Sequence, residues 1–323
     1  MSDRGQTTRL RRLVDHTLRD DYRVQTQGLS LVSTHSFNHI FRVDTSYDDG
    51  RYAARVGAPL RVHHDGVEEL EASWLSALSI AAIPVATMIP DIAGRHVVSA
   101  ESTLVTGVRP VSVFTWATGR TVRDRLTIDV MRKLGEMLAA LHDHAAGWRP
   151  DVDVPSGLVA DRVVYFLDDT LLATHRSPEG NLYREAIDRA QRTIDELWLH
   201  PPHAPHLLHG DFGPHNVLRH RSVFTAIDFQ DLQFGFDVQD VGLTISDLRR
   251  NNVEPALVDA LRRGYSSIRP WPHSDEQLMG ALSAARSLNM LNLGLNLRRP
   301  GFTEFFDRHT QLIRRWMANA KSR

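Results

Sequence analysis

Between His209 and Asp231 the chain reads HGDFGPHNVLRHRSVFTAIDFQD. This stretch restricts the fold most, because it sets an acid at Asp211, an amide at Asn216 and a second acid at Asp228 at the ends of two short β-like runs. HLLHGD reads as an apolar strand that turns at Gly210, and NVLRH leads into SVFTAIDF, a second apolar strand ending on a carboxylate. Two such strands joined by a tight loop are expected to bring Asp211, Asn216 and Asp228 to one end of a small sheet. Two acids and an amide converging there suit a magnesium–phosphate site. Mg²⁺ takes hard oxygen ligands from one or two protein groups and completes its shell with phosphate and water. An acid left outside that shell can accept the proton of an attacking hydroxyl.

The stretch resembles the catalytic and metal loops of the aminoglycoside phosphotransferase and choline kinase-like family, relatives of the protein kinases. The family pattern, HGDxxxxN followed by [IV]DFxD, stands here as HGDFGPHN and IDFQD. The resemblance implies Asp211 as catalytic base and Asn216 and Asp228 as metal ligands, with ATP and Mg²⁺ as cofactors. The run GFDVQDVGLTISDL is similar to the family's acid-bearing helix start, which implies that Asp240 braces the catalytic loop. Without that context an HGD triplet is an ordinary turn beside a strand. A rival reading takes His209-x-Asp211 as part of a two-histidine, one-carboxylate iron site. Such sites sit on all-β barrels, whereas the pattern that follows here is largely helical, and Asn216 and Asp228 would have no role. For His209 itself, a histidine that holds the loop's backbone is the plainer expectation.

Composition narrows the setting. A chain of 323 residues is long enough for two moderate domains or one large one. Its formal net charge of −1 creates no global field for nucleic acid or an anionic membrane. With no cysteine, disulfides, thiolate nucleophiles and cysteine-bound metals are excluded. The start, MSDRGQTTRLRRL, lacks the apolar core of a secretory signal. No apolar run approaches the ~20 residues needed to cross a bilayer. A cytoplasmic enzyme with no nucleic-acid or membrane partner is expected.

Along the chain, Leu10, Leu13, Val14 and Leu18 predict a helix over residues 8–20. The β runs LSLV, NHIFRVDT and RYAARVG follow, the last two separated by SYDDG, a strong hairpin signal. Three antiparallel strands and then a helix match the small nucleotide lobe of the resembled family. There the first turn covers the ATP phosphates. Here that turn is Ser33-Thr34-His35-Ser36-Phe37-Asn38, without glycine, so Ser33, Thr34 and Ser36 would offer hydroxyls and backbone N–H groups instead. The third strand should present a phosphate-binding cation. Lys133 and Lys321 are the only lysines, which leaves Arg55 in YAARV. Arginine is always charged and binds phosphate in bidentate fashion. The amphipathic run VEELEASWLSAL resembles the family's E-x-x-W-L-x-x-L helix, which implies an ion pair between Glu71 and Arg55.

PVSVFTWATG reads as a strand ending at Gly119 and resembles the hinge strand, where the backbone near Phe114, Thr115 and Trp116 would meet the adenine. TIDVMRKLGEMLAALHDHAAGW predicts a long helix similar to the family's LGxxLAxLH helix. Further helices are expected around 160–174 and 181–199, and after Asp247 to the end with a break near RPWPHSD. The C-terminal helices resemble those of the subgroup containing type II homoserine kinase and the stress-response kinase. The expected architecture is α+β, a two-lobed protein kinase-like fold with an antiparallel β small lobe over 1–112, a hinge at 113–119 and a mostly helical large lobe over 120–323. The expected activity is transfer of the ATP γ-phosphoryl group to a hydroxyl of a small molecule, such as an amino alcohol, an amino acid or an aminoglycoside-like compound. No evident activation segment lies after the metal loop, which favours this over a serine/threonine protein kinase. A non-catalytic nucleotide-binding regulator is the alternative of another class. Asp231, Asp237, Asp240 and Asp247 would suit a cationic acceptor where they do not brace the loop.

Overall fold

Leu10, Leu13, Val14 and Leu18 are all buried on one face of helix α1 (Asp3–Asp21), as their spacing dictates. They pack with Phe41, Val43, Ala54, Val56, Val111 and Val113 from the strands that follow. The computed structural model describes residues 3–35, 38–45, 50–171, 178–297 and 302–319. These residues divide into two compact units. The first takes the described residues up to Val122 with Pro150–Pro155 and Val217–Ile227, and the second takes Arg123–Arg149, Ser156–Asn216 and the described residues from Asp228 onward.

The first unit is built on an antiparallel sheet of β1 (Thr26–His35), β2 (Asn38–Thr45), β3 (Arg51–Val56), β4 (Met88–Ile89), β5 (Val98–Ala100) and β6 (Arg109–Thr115). The order is β1-β2-β3-β6-β4, with β5 also paired to β6. Helix α2 (Val67–Ile80) buries Leu70, Glu71, Trp74, Leu75 and Leu78. A smaller antiparallel sheet joins β7 (Arg120–Thr121), β9 (Val217–His220) and β10 (Val223–Ala226).

Two readings of this unit change. Ser33 and Thr34 belong to the β1 ladder, opposite Ile40 and His39, so the turn is shorter than expected; Ser36, Phe37 and most of SYDDG lie outside the described residues. Strand β6 ends at Thr115 instead of Gly119; Thr115 pairs with Tyr52, one residue inside the start of β3.

The second unit holds helices α3 (Ile128–Gly147), α4 (Pro178–Leu199), α5 (Asp237–Arg250), α6 (Pro255–Ser266), α7 (Glu276–Leu297) and α8 (Phe302–Asn319). It also contains a two-stranded sheet of β8 (His206–Leu208) and β11 (Gln233–Gly235). That pairing corrects the expected hairpin. HLL pairs with QFG, while VFTA pairs with VLRH across the Arg221 turn, so the two apolar runs lie in different sheets.

The helix expected around 160–174 is absent from residues 161–169, and residues 172–177 are not described. Here side chains take the place of helical hydrogen bonds. Asn289 Oδ1 accepts the N–H groups of Tyr165 and Phe166, and Asn292 Oδ1 accepts those of Thr170 and Leu171. Asn292 Nδ2 donates to the carbonyls of Phe166 and Asp168. The backbone is satisfied without a helical turn.

Helices α3 and α6 cross closely because glycine sits on both. A Cβ on Gly135 would lie 2.0 Å from the Leu261 carbonyl oxygen, and one on Gly264 would lie 1.9 Å from that of Arg132. Replacing a helical glycine by alanine is worth about 1 kcal/mol of propensity. Overpacking costs typically about 1–3 kcal/mol, and more where backbone must move. The clash wins here, so Gly264→Ala should lower unfolding stability by about 2 kcal/mol or more. Urea unfolding tests this, and an unchanged or higher midpoint would refute the close crossing.

Candidate active site

Strand β8 delivers the chain to His209, Gly210 and Asp211. Gly210 adopts φ 77°, and a Cβ there would stand 1.8 Å from the Asp231 carbonyl oxygen. Only glycine fits both the conformation and the approach. The turn is pinned from α5, where the Asp240 carboxylate accepts the His209 N–H through Oδ2 and the Gly210 N–H through Oδ1, each at 2.9 Å. Oδ2 also lies 3.3 Å from His142 Nε2, whose Nδ1 meets the Tyr265 hydroxyl at 2.9 Å. The side chains of His209, Asp240, His142 and Tyr265 are all buried. Burial by itself would raise the Asp240 pKa, but the His142 bond, nearby histidine charge and the His209 N–H hold it below the usual range.

His209 is fully buried, its ring against Phe229 and Phe212. Its Nδ1 accepts the Asp211 N–H at 3.3 Å, so it holds the loop's backbone. The geometry gives it the plain role and no part in an iron site.

The Asp211 carboxylate is surrounded by donors. Asn216 Nδ2 reaches the Asp211 carbonyl oxygen at 3.0 Å and Oδ2 at 3.1 Å. His215 Nε2 approaches Oδ2 at 3.2 Å, and Arg286 Nη2 donates to Oδ1 at 2.5 Å. Burial would raise the Asp211 pKa; Arg286 and His215 outweigh it and hold the carboxyl well below the usual range. His215 also lies 3.7 Å from Asp247 Oδ2. Burial would push its pKa down, but hydrogen bonds to Asp211 and Asp247 raise it to about 10.

Arg286, on α7, was not foreseen. It is buried, its Nη1 donates to the Tyr165 hydroxyl at 3.3 Å and stands 3.8 Å from Asp231 Oδ2. Its own pKa is raised above the ordinary value, since Asp211, Tyr165 and Asp231 overcome the burial that would lower it. The signal lay in LMGALSAARSLNMLNLGL, where one arginine interrupts an otherwise uncharged run. A charge on such a helix needs a buried partner.

The remaining second-unit candidate, Asp228, is half-buried at φ 65°, a left-handed conformation uncommon outside glycine. Such backbone recurs where a side chain must be aimed. Asn216 turns its nitrogen to Asp211, which leaves Oδ1 as the oxygen available to a cation. Carboxylate and amide oxygens are the hard donors Mg²⁺ prefers, so these residues fit that ion.

The four acids considered for a cationic acceptor are all engaged. Asp240 holds the loop; Asp237 pairs with His206 and Arg269; Asp247 pairs with His215 and Arg250; Asp231 faces Arg286. They therefore give no unneutralised acidic surface.

In the first unit, Arg55 and Glu71 form a buried, bidentate pair, Nη1–Oε1 at 2.9 Å and Nη2–Oε2 at 2.6 Å. The guanidinium carbon lies 4.8 Å from the Phe114 ring centre. Arg55 is thus no solvent-facing strand arginine. Ser33 and Thr34 are exposed on β1. The Thr115 N–H donates to the Thr87 carbonyl at 2.9 Å, so that amide is already committed; Trp116, next along, is half-buried. No helix among the described residues is long and apolar enough to cross a membrane.

A model of the phosphotransferase enzyme family (APH) matches residues 32–276. An uncharacterised protein of Synechocystis sp., sll1119, is 29% identical over 229 residues, covering 67% of this chain. The chain spans about three-fifths of that protein, 59% of its length. Among solved structures, the amicoumacin kinase hAmiN is similar with a TM-score of 0.71 at 16% identity, covering 97% of this chain and 96% of that one. A microcompartment-associated aminopropanol kinase is similar at 0.69 and 22% identity, over 96% of each chain. Aminoglycoside phosphotransferase APH(4)-Ia is similar at 0.63 and 13% identity, over 96% and 98%. At these identities the likeness is one of fold, and it bears out the kinase-like α+β architecture.

The His215 cluster makes stability depend on pH. A histidine raised from 6.5 to about 10 on folding stabilises fully below its unfolded pKa, and that contribution is lost as pH rises through the folded value. Stability should therefore fall between about pH 6.5 and 10, and His215→Gln should flatten that slope. Chemical unfolding of both proteins across this range measures it, and equal slopes would remove His215 as the cause.

Proposed function

Because the chain belongs to the phosphotransferase enzyme family, we propose that it moves the γ-phosphoryl group of ATP to a hydroxyl of a small molecule, an amino alcohol, amino acid or aminoglycoside-like compound. The observation that carries this reading is Asp211 held on a loop pinned by Asp240, with Asn216 bonded to the same carboxylate. Asp211 orients the acceptor hydroxyl and takes its proton. Asn216 fixes the carboxylate from one side, and Arg286 and His215 fix it from the others. Asn216 and Asp228 would hold Mg²⁺, which supplies charge neutralisation to the phosphates.

Arg55 contacts the phosphates in this reading. Glu71 takes two of the five donors a guanidinium carries and fixes its plane. Ser33, Thr34 and Ser36 remain proposed phosphate neighbours. Thr115 and Trp116 remain proposed adenine neighbours, the Thr115 contact by a group other than its committed N–H.

A small acceptor is favoured over a protein because the chain between Asp228 and Asp237 is occupied by strand β11, paired to β8. That leaves little backbone for an activation segment. The aminopropanol and amicoumacin kinases of similar fold suggest aminopropanol and related amino alcohols, and amicoumacin, as the first compounds to try. An ATP-consumption screen against amino alcohols, amino acids, aminoglycosides and protein substrates is the direct test. Nucleotide binding with no consumption on any acceptor would favour the regulator.

Two variants test the roles. Asp211→Asn should cut kcat by about 10²–10⁴-fold, the usual worth of a general base, while ATP binding stays within about twofold by calorimetry. Near-normal turnover would remove Asp211 from the chemistry. Arg55→Ala should raise KM for ATP and lower kcat, Glu71→Ala should do so more mildly, and the double variant should lose less than the sum. Arg55→Lys keeps the charge without the planar fork and should be partly active. Full activity in Arg55→Ala would take the phosphates away from this strand.

A further inference from the structure

His203, His206 and Asp237 converge outside the Asp211 cluster, and each offers one ligand atom, all within 4.8 Å of one another. The fold fixes their positions. His206 opens β8 opposite Gly235 of β11, and Asp237 begins helix α5 two residues after that glycine. His203 precedes His206 by one short loop, with the two rings 5.1 Å apart and tilted by only 16°. Two imidazoles binding one tetrahedral ion through nitrogens at about 2.0–2.1 Å place their centres at roughly this spacing.

The polar atoms point the same way. His206 and Asp237 are each at least nine-tenths buried. His206 Nε2 and Asp237 Oδ1 form an ion pair at 2.8 Å, yet the two are not aligned as hydrogen-bond donor and acceptor, and neither atom makes another hydrogen bond. Buried groups left in that state are rare and expensive. A cation shared between the two atoms would account for it. The other carboxylate oxygen, Oδ2, is taken by Arg269 through Nε at 3.0 Å and Nη2 at 2.9 Å, so the two oxygens divide their work. His203 Nδ1 donates to the Ala204 carbonyl at 2.9 Å. That leaves Nε2, 3.8 Å from Oδ2, as the unprotonated nitrogen. A backbone carbonyl behind a histidine is the usual support of a metal ligand. His142 Nδ1, 3.4 Å from Oδ1, is already bonded to Tyr265.

We infer that His203, His206 and Asp237 form a binding site for a divalent ion of the zinc class, with a fourth position for water. Two imidazoles and one carboxylate suit zinc better than Mg²⁺, which prefers all-oxygen shells. The site would be structural. Asp237 and Asp240 share one turn of α5, and His206 and His209 one short run, so an ion here ties the helix to the loop that Asp240 pins. The positive charge of Arg269 works against a dication and tempers the affinity.

Metal-stripped protein, titrated with ZnCl₂ in excess Mg²⁺, tests the inference without reference to activity. Expected are one Zn²⁺ per chain, a higher Tm on loading, and affinity at least tenfold weaker in His203→Ala. His203 is half-buried, so its loss should spare the fold, checked by circular dichroism. Co²⁺ should give the visible absorption of a four-coordinate site in the wild type and lose it in His206→Gln. Asp228→Ala should bind Zn²⁺ as the wild type does, which separates this site from the one proposed for Mg²⁺. Wild-type binding no stronger than that of a His203→Ala, His206→Gln double variant would overturn the inference and leave His206 and Asp237 as an ion pair.

Discussion

Two adjacent backbone N–H groups and one buried carboxylate hold the turn before Asp211 in place. Asp240 accepts from His209 and Gly210 at the same distance, one oxygen each. Hydrogen bonds to an ionised acceptor are roughly twice as strong as neutral ones. Here they act on a turn that only glycine can make. Removing the carboxylate would leave two buried donors without acceptors and His142 Nε2 without its partner. The position of Asp211 is thus set by the two residues before it. Its own side chain is then aimed by Asn216, His215 and Arg286.

Local patterns were legible where the physics is local. The Leu10–Leu18 stripe, the alternation in β2 and β3, and the Leu70–Leu78 face of α2 each report a period that burial enforces. The acid–amide spacing of HGDFGPHN carried the loop, and EASWLSAL carried the partner of Arg55. Strand pairing around the Asp211 loop was not legible, although that of β1, β2 and β3 was. HLL, VFTA and QFG are each too short for their own alternation to select a partner, and the choice is made by the elements around them. Residues 161–169 have a helix-like apolar spacing, yet the amides of Asn289 and Asn292, distant in sequence, capture the backbone first. Arg286 was visible only as an anomaly, a charge in an otherwise uncharged run of eighteen residues, with nothing nearby to name its partner.

Counting acids along the sequence also misjudges the field. Asp231, Asp237, Asp240 and Asp247 look like an anionic patch, and the folded chain answers each with a histidine, an arginine or backbone N–H groups. The near absence of lysine matters here. Arg55 and Arg286 both hold carboxylates at positions where their planar forks also touch other groups, Phe114 in one case and Tyr165 in the other. An ammonium would keep the charge without the plane.

This arrangement bears on what Asp211 can do. A carboxylate held below its usual pKa by a guanidinium and a charged imidazole is a poor base in the ground state. For most reactions of a hydroxyl that would be a defect. Phosphoryl transfer is less demanding, because its transition state is loose and the attacking oxygen carries little new bond until late. The acceptor proton grows acidic only as the bond to phosphorus forms, and a weak base fixed in place can take it then. What such a group must supply beforehand is direction, one hydroxyl aimed along one line, and three donors around one carboxylate give it that rigidity. On this view Arg286 lowers the basicity of Asp211 and raises its precision, a trade that suits phosphoryl transfer better than it would suit acyl or proton-transfer chemistry.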